Sequence, residues 1–277
     1  MSPPIHILTR NESGIRDWFP PAIRRWGNRM LGASIIFRGP FSDWASASAS
    51  TAGYDQHVIL ERVSRAICCV LDGSAVFEQD GLALHHAPPP SHALDGLLLA
   101  AALDGGRLSV LDFGGGLASH YLRWRSLLSA LPDVRWAVVE QANYVAEGRR
   151  LFSTNPVVSF HEDIADVATS PNVALASSVL QYLPEPYLAL RHLIGLAPRM
   201  IVLDRQPYGE REAVMTQSVP PNLDRASYPL WILSRDKVHA QFSSNYRSLD
   251  EFEASDYPLR AAGIQATYQG SIWLRCT

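Results

Sequence analysis

Val110-Leu-Asp-Phe-Gly-Gly-Gly-Leu-Ala-Ser119 is an apolar run that reaches an acid, Asp112, one residue before three consecutive glycines, Gly114, Gly115 and Gly116. Without Cβ atoms the backbone turns tightly and approaches a ligand closely, and a helix starting just afterwards points its unpaired N–H groups to the same place. The stretch therefore predicts a strand, a ligand-facing turn and a helix. Around it, apolar runs near 107–112, 135–140, 157–161, 173–177 and 200–204 alternate with helical patterns, as a parallel sheet with crossover helices requires. The chain is expected to close with a helix over about 248–262, a stop at Gly263, and two short strands, Ile264–Tyr268 and Ser271–Arg275, around a Gln269-Gly270 turn.

Residues 1–90 read as a mainly helical segment, a lid or an interface. Trp18, Phe19, Ile23, Trp26 and Met30 recur at roughly helical spacing, and Val58, Ile59, Val63, Ala66, Ile67 and Val70 form a clearer amphipathic helix. Pro88-Pro89-Pro90 marks the boundary, because three prolines lack three backbone donors. Residues 91–277 then form the α/β domain. A stretch of about 205–235, rich in proline and aromatics, reads as a long loop inserted on the acceptor side of the site.

Bulk properties narrow the function. A net charge of −3 and no dense Lys/Arg stripe disfavour nucleic acid as a partner. Of three cysteines, Cys68 and Cys69 sit together in an apolar run and read as buried reduced thiols. No apolar run is long enough to span a bilayer, so no integral membrane association is expected and the cytoplasm is the expected location. His85, His86 and His92 lack acidic or cysteine partners at ligand spacing, so no metal is expected.

A dinucleotide site uses Gly-x-Gly-x-x-Gly to cradle a pyrophosphate, and here the third glycine position is Ser119. Glu140, at the end of Trp136-Ala-Val-Val-Glu140, suits a pair of ribose hydroxyls and fits any nucleoside cofactor. Asp112, Gly114, Gly116 and Ala118 instead match the Asp-x-Gly-x-Gly-x-(Gly/Ala) motif, and the segment resembles that of class I S-adenosylmethionine-dependent methyltransferases. Ser42-Asp-Trp44, Gly53-Tyr-Asp55, Phe77-Glu-Gln-Asp80, Val139-Glu-Gln141, Ser178-Val-Leu-Gln-Tyr182, Asp204-Arg205 with Pro207, Gln217-Ser-Val-Pro220 and Ser227-Tyr-Pro-Leu-Trp231 are similar to a narrower bacterial group often encoded among cell-surface polysaccharide genes.

The resemblance implies a Rossmann-like α/β sheet, mostly parallel, with helices on both faces and a C-terminal antiparallel strand inserted beside the fifth. It implies S-adenosyl-L-methionine as cofactor, held by Asp112, Gly114, Gly115, Gly116, Glu140, Gln141, Asp163 and Ser178, with Asp163 facing the adenine amino group. Where the family often has a His-His pair this chain has Gln181-Tyr182, so the base is sought among His120, Tyr182 and Asp204. Tyr54, Arg205, Gln217, Tyr228 and Trp231 are the expected acceptor residues, and the expected reaction is O-methylation of a sugar or other small-molecule hydroxyl. The competing readings are an NAD(P)-dependent oxidoreductase and a non-catalytic nucleoside- or partner-binding protein, with a homodimer as a further expectation.

Overall fold

The computed structural model describes residues 36–51, 56–86, 88, 90–168, 170–218, 226–242, 245–254, 259–261 and 263–276. The expectations for Trp18 to Met30 and for Tyr54 fall outside the described residues. Strand β1 (Ile36–Phe41) is followed by helix α1 (Trp44–Ala49), whose N-cap Asp43 accepts the Ser46 amide at 2.7 Å. Helix α2 (Gln56–Leu71) turns Ile59, Val63, Ala66, Ile67 and Val70 inward at spacings of three and four. A hairpin of β2 (Phe77–Gln79) and β3 (Leu82–Leu84) precedes α3 (His92–Leu103).

The α/β unit runs β4 (Arg107–Phe113), α4 (Ser119–Leu128), β5 (Asp133–Val139), α5 (Ala142–Leu151), β6 (Val158–His161), β7 (Val173–Ser177), α6 (Pro186–Gly195) and β8 (Met200–Gly209). Then come β9 (Ala213–Ser218), β10 (Ser227–Ile232), α7 (Arg235–Phe242), β11 (Tyr246–Glu253), β12 (Leu259–Ala261) and β13 (Ile264–Arg275). The main sheet has the order β11-β13-β8-β7-β4-β5-β6. Strands β4 to β8 are parallel, and β13 lies antiparallel between β8 and β11. Parallel strands covered on both faces must be apolar throughout, which is why β7, Val-Ala-Leu-Ala-Ser, is buried at every position. From β4 the chain winds outward through β5 and β6, then returns to place β7 on the other side of β4. The crevice at the carboxyl ends of β4 and β7 is therefore a topological switch point, where sheets of this kind bind ligands.

Several expectations are corrected. Residues 246–253 form strand β11 and not a helix: this is an edge strand, bulged between Ser248 and Asp250, with most of its side chains exposed. Gln269-Gly270 is no turn but an irregularity inside the continuous β13; a Cβ at Gly270 would lie 2.2 Å from Phe252 on the paired strand, so glycine serves close approach. The described part of the stretch 205–235 is strand rather than loop. It completes β8 and supplies β9 and β10, which join β1 in a separate sheet of order β1-β9-β10. Cys68 is exposed and Cys69 half-buried, because α2 turns both away from its buried stripe. In the described part of the N-terminal segment, β1, β2 and β3 accompany the two helices.

Candidate active site

The glycine loop leaves β4 in a series of left-handed turns: φ is +70° at Gly114, +58° at Gly116 and +59° at Ala118, which caps α4. Gly115 and Gly116 differ in their surroundings. A Cβ on Gly115 would lie 2.5 Å from the Asp112 carboxyl, whereas one on Gly116 would meet nothing within 4 Å and would project into open space. The loop is thus pressed onto Asp112 and leaves a cradle above it that only glycine keeps clear.

Asp112 is fully buried. Its Oδ2 accepts the Trp136 indole N–H at 3.1 Å and faces His120 Nδ1 at 3.4 Å, while Oδ1 has no hydrogen-bond partner. A buried carboxylate oxygen without a donor is costly, and a ligand N–H or ammonium would satisfy it. Glu140, at the end of β5, supports the same loop: its carboxyl takes the Gly116 amide and, at 2.7 Å, the Gln141 amide. Burial, reinforced by the negative charge of Asp112, pushes its pKa up to about 7.

A third acid, Glu78 on the β2–β3 hairpin, had no role assigned from the sequence. It is buried, accepts the Ser119 hydroxyl and the Gly81 amide, the latter at 2.7 Å, and is likewise pushed up to about 7 by burial. Glu78, Gln79 and Asp80 line one cleft with Gly114 to Leu117, Ser119, His120, Ser178 and Arg205. Arg123 lines it too, so acidic and basic side chains share the cleft.

Across the switch point, Ser178 and Arg205 hold left-handed backbones, with φ of 55° and 58°. Such strain costs roughly 1–3 kcal/mol per residue and clusters at functional sites. Asp204 accepts the Ser177 hydroxyl at 2.7 Å, and the Gln181 amide donates to Ser178 Oγ at 2.8 Å. A second cleft, adjoining the first through His120, Arg123 and Arg205, is lined by Asp204, Trp124, His92, Phe252 and Glu253.

The remaining expected residues are placed as follows. Gln141 is buried at the start of α5, with its side-chain amide nitrogen unpartnered. Asp163 caps the short helix Ile164–Asp166 by accepting the Ala165 amide at 2.9 Å. Tyr182 is sealed in the core, edge-on to Tyr228, whose hydroxyl takes the Gln217 amide at 2.8 Å. Trp231 stacks on Trp44 at 6.2 Å. His120, Asp204 and Arg205 are brought together at the clefts; Gln217, Tyr228 and Tyr182 form a separate buried cluster. Besides Glu78, the sequence reading missed Trp136, whose indole marks a strand core in sequence and reveals its donor only once β4 and β5 pair. Among the described residues there is no group of three His, Cys, Asp or Glu placed to hold a metal, and no helix is long and apolar enough to cross a membrane.

No family model matches the chain, and no curated protein matches it. Solved structures do. One is the S-adenosylmethionine-bound amino pentose methyltransferase of Micromonospora echinaspora, at 16% identity and TM-score 0.43, over 67% of this chain and 90% of that one. Another is the 1,6-didemethyltoxoflavin-N1-methyltransferase of Burkholderia thailandensis, at 11% identity and TM-score 0.45, over 92% and 100%. A third is the magnesium protoporphyrin IX methyltransferase of Synechocystis, at 15% identity and TM-score 0.42, over 67% and 83%.

Proposed function

We propose that this chain is an S-adenosylmethionine-dependent methyltransferase acting on a sugar or other small-molecule hydroxyl. The observation that carries the reading is the glycine cradle above Asp112, whose buried Oδ1 has no hydrogen-bond donor. Asp112, Glu140 and Glu78 are all buried about one loop, and burial pushes the pKa of the last two up to about 7. A buried carboxylate oxygen without a donor suits a ligand N–H or ammonium rather than a phosphate oxygen. The antiparallel β13 beside β8, the fifth parallel strand, accords with the same reading and departs from the all-parallel dinucleotide sheet.

The bound cofactor supplies a methyl group already activated by its sulfonium, so the protein's task is to align, exclude water and take up a proton. The glycine loop with Asp112 holds the amino-acid end, and Glu140 with Asp163 holds the nucleoside. Asp204, oriented by the Ser177 hydroxyl and bordering the second cleft, receives the acceptor's hydroxyl proton. Trp124 and Phe252 give that cleft the apolar faces, and Arg205 and Glu253 the polar edges, that suit a polyhydroxylated acceptor.

Calorimetric titration with S-adenosylmethionine, S-adenosylhomocysteine and NADPH tests this. Micromolar binding of the first two, lost in Asp112→Ala and Glu140→Ala, is the expected result; binding of NADPH alone, or of none, rejects the reading.

A further inference from the structure

The β2–β3 hairpin lies before the α/β unit in sequence, yet Glu78, Gln79 and Asp80 form a wall of the glycine-loop cleft. One clasp ties the hairpin to α4: the Ser119 hydroxyl, at the start of α4, donates to Glu78 Oε2, while the Gly81 amide of the hairpin's own turn donates to Oε1 at 2.7 Å. Each oxygen keeps a free lone-pair direction. The two donors therefore orient the carboxylate without exhausting it. The donors of both hydrogen bonds are neutral, and burial is what pushes its pKa up, while Arg123 and Arg205 also line the cleft. A buried acid held by neutral donors on the wall of a ligand cleft is a site for a cation.

We propose that Glu78 is a cofactor-positioning residue, gripping the ammonium of the cofactor's amino-acid end from the hairpin wall while Asp112 serves it from the loop. This rests on the methyltransferase reading. Glu78 belongs to the amino-acid end because it is joined to Ser119 and shares His120 with Asp112, whereas the nucleoside is assigned to the ends of β5 and β6. The hairpin then acts as one jaw of the site and the glycine loop as the other.

The test compares native protein with Glu78→Gln and Glu78→Asp in calorimetric binding of S-adenosylmethionine, S-adenosylhomocysteine and 5′-methylthioadenosine, which carries the same nucleoside without the amino-acid end. Glu78→Gln is expected to weaken the first two by about tenfold or more, the scale of a charge-assisted hydrogen bond, and methylthioadenosine by less than about twofold. Glu78→Asp should recover part of the loss. If Glu78→Gln fails to fold, Ser119→Ala, which loosens the clasp and keeps the acid, is expected to show the same selectivity at smaller size. Equal weakening of all three ligands, or of none, overturns the proposal while leaving the methyltransferase reading intact. Native protein that binds neither S-adenosyl compound overturns both.

Discussion

The indole N–H of Trp136 on β5 donates to Oδ2 of Asp112 on the neighbouring β4 over 3.1 Å, and both side chains are sealed from water. Trp136→Phe keeps an aromatic ring and removes the donor from a buried acid. We expect a loss of about 1–3 kcal/mol in urea unfolding at unchanged m-value, with weaker cofactor binding. Native stability in the variant would show that the bond carries no weight.

Gly115 and Gly116 should fail differently. Gly115→Ala forces its Cβ to within 2.5 Å of the Asp112 carboxyl, so stability and cofactor binding fall together. Gly116→Ala has room for its Cβ but adopts φ +58°, costing roughly 1–2 kcal/mol, and it narrows the cradle. Its larger effect is expected on cofactor affinity, read by titration beside a thermal melt. The opposite ranking would mean that the space above Gly116 is not where the ligand lies.

Stability should fall with rising pH. Glu78 and Glu140 have folded pKa values near 7 against an ordinary 4.5, so the folded protein binds more protons than the unfolded chain between those values. The contribution is fully present below pH 4.5 and is lost as pH rises through 7, on the order of 3 kcal/mol per group as an upper bound. Urea unfolding at pH 5.5 and pH 8 reads this, and Glu140→Gln should flatten the slope. Because a cationic cofactor favours the ionised acids, its affinity should rise over the same interval. A flat profile in the native protein contradicts the argument.

Asp204→Asn should lower kcat by about 10²–10⁴-fold if it takes the acceptor's proton, whereas Tyr182→Phe should leave kcat within about twofold, since that ring is packed away against Tyr228. Transfer of labelled methyl to a panel of methyl glycosides is the assay. A loss in Tyr182→Phe with Asp204→Asn unaffected would exchange their roles.

The parallel strands were legible because burial on both faces demands continuous apolar runs, and β4, β5 and β7 carry them. The glycine loop was legible because a tight turn beside a ligand restricts the residues allowed. β11 misled because it is an edge strand with a bulge: most of its charged outer face is solvated, and Leu249 and Phe252, three apart, mimic one stripe of a helix. Glu78 was visible as part of Phe77-Glu-Gln-Asp80, but its role depends on a clasp to Ser119, forty-one positions away, which no local pattern records. The sheet of β1, β9 and β10 was missed for the same reason on a larger scale, since a strand's identity there depends on a partner from the far side of the domain.

That sheet also sets an order of events. Among the described strands β1 pairs with β9, Phe37 opposite Gln217, so this pairing must wait until β9 has been synthesised. Closing a loop of roughly 180 residues costs about 4–5 kcal/mol in chain entropy, far more than adjacent strands require. β1 therefore waits as the ribosome builds β4 to β8 and docks only when β9 emerges, while β13, later still in the chain, completes the main sheet against β8.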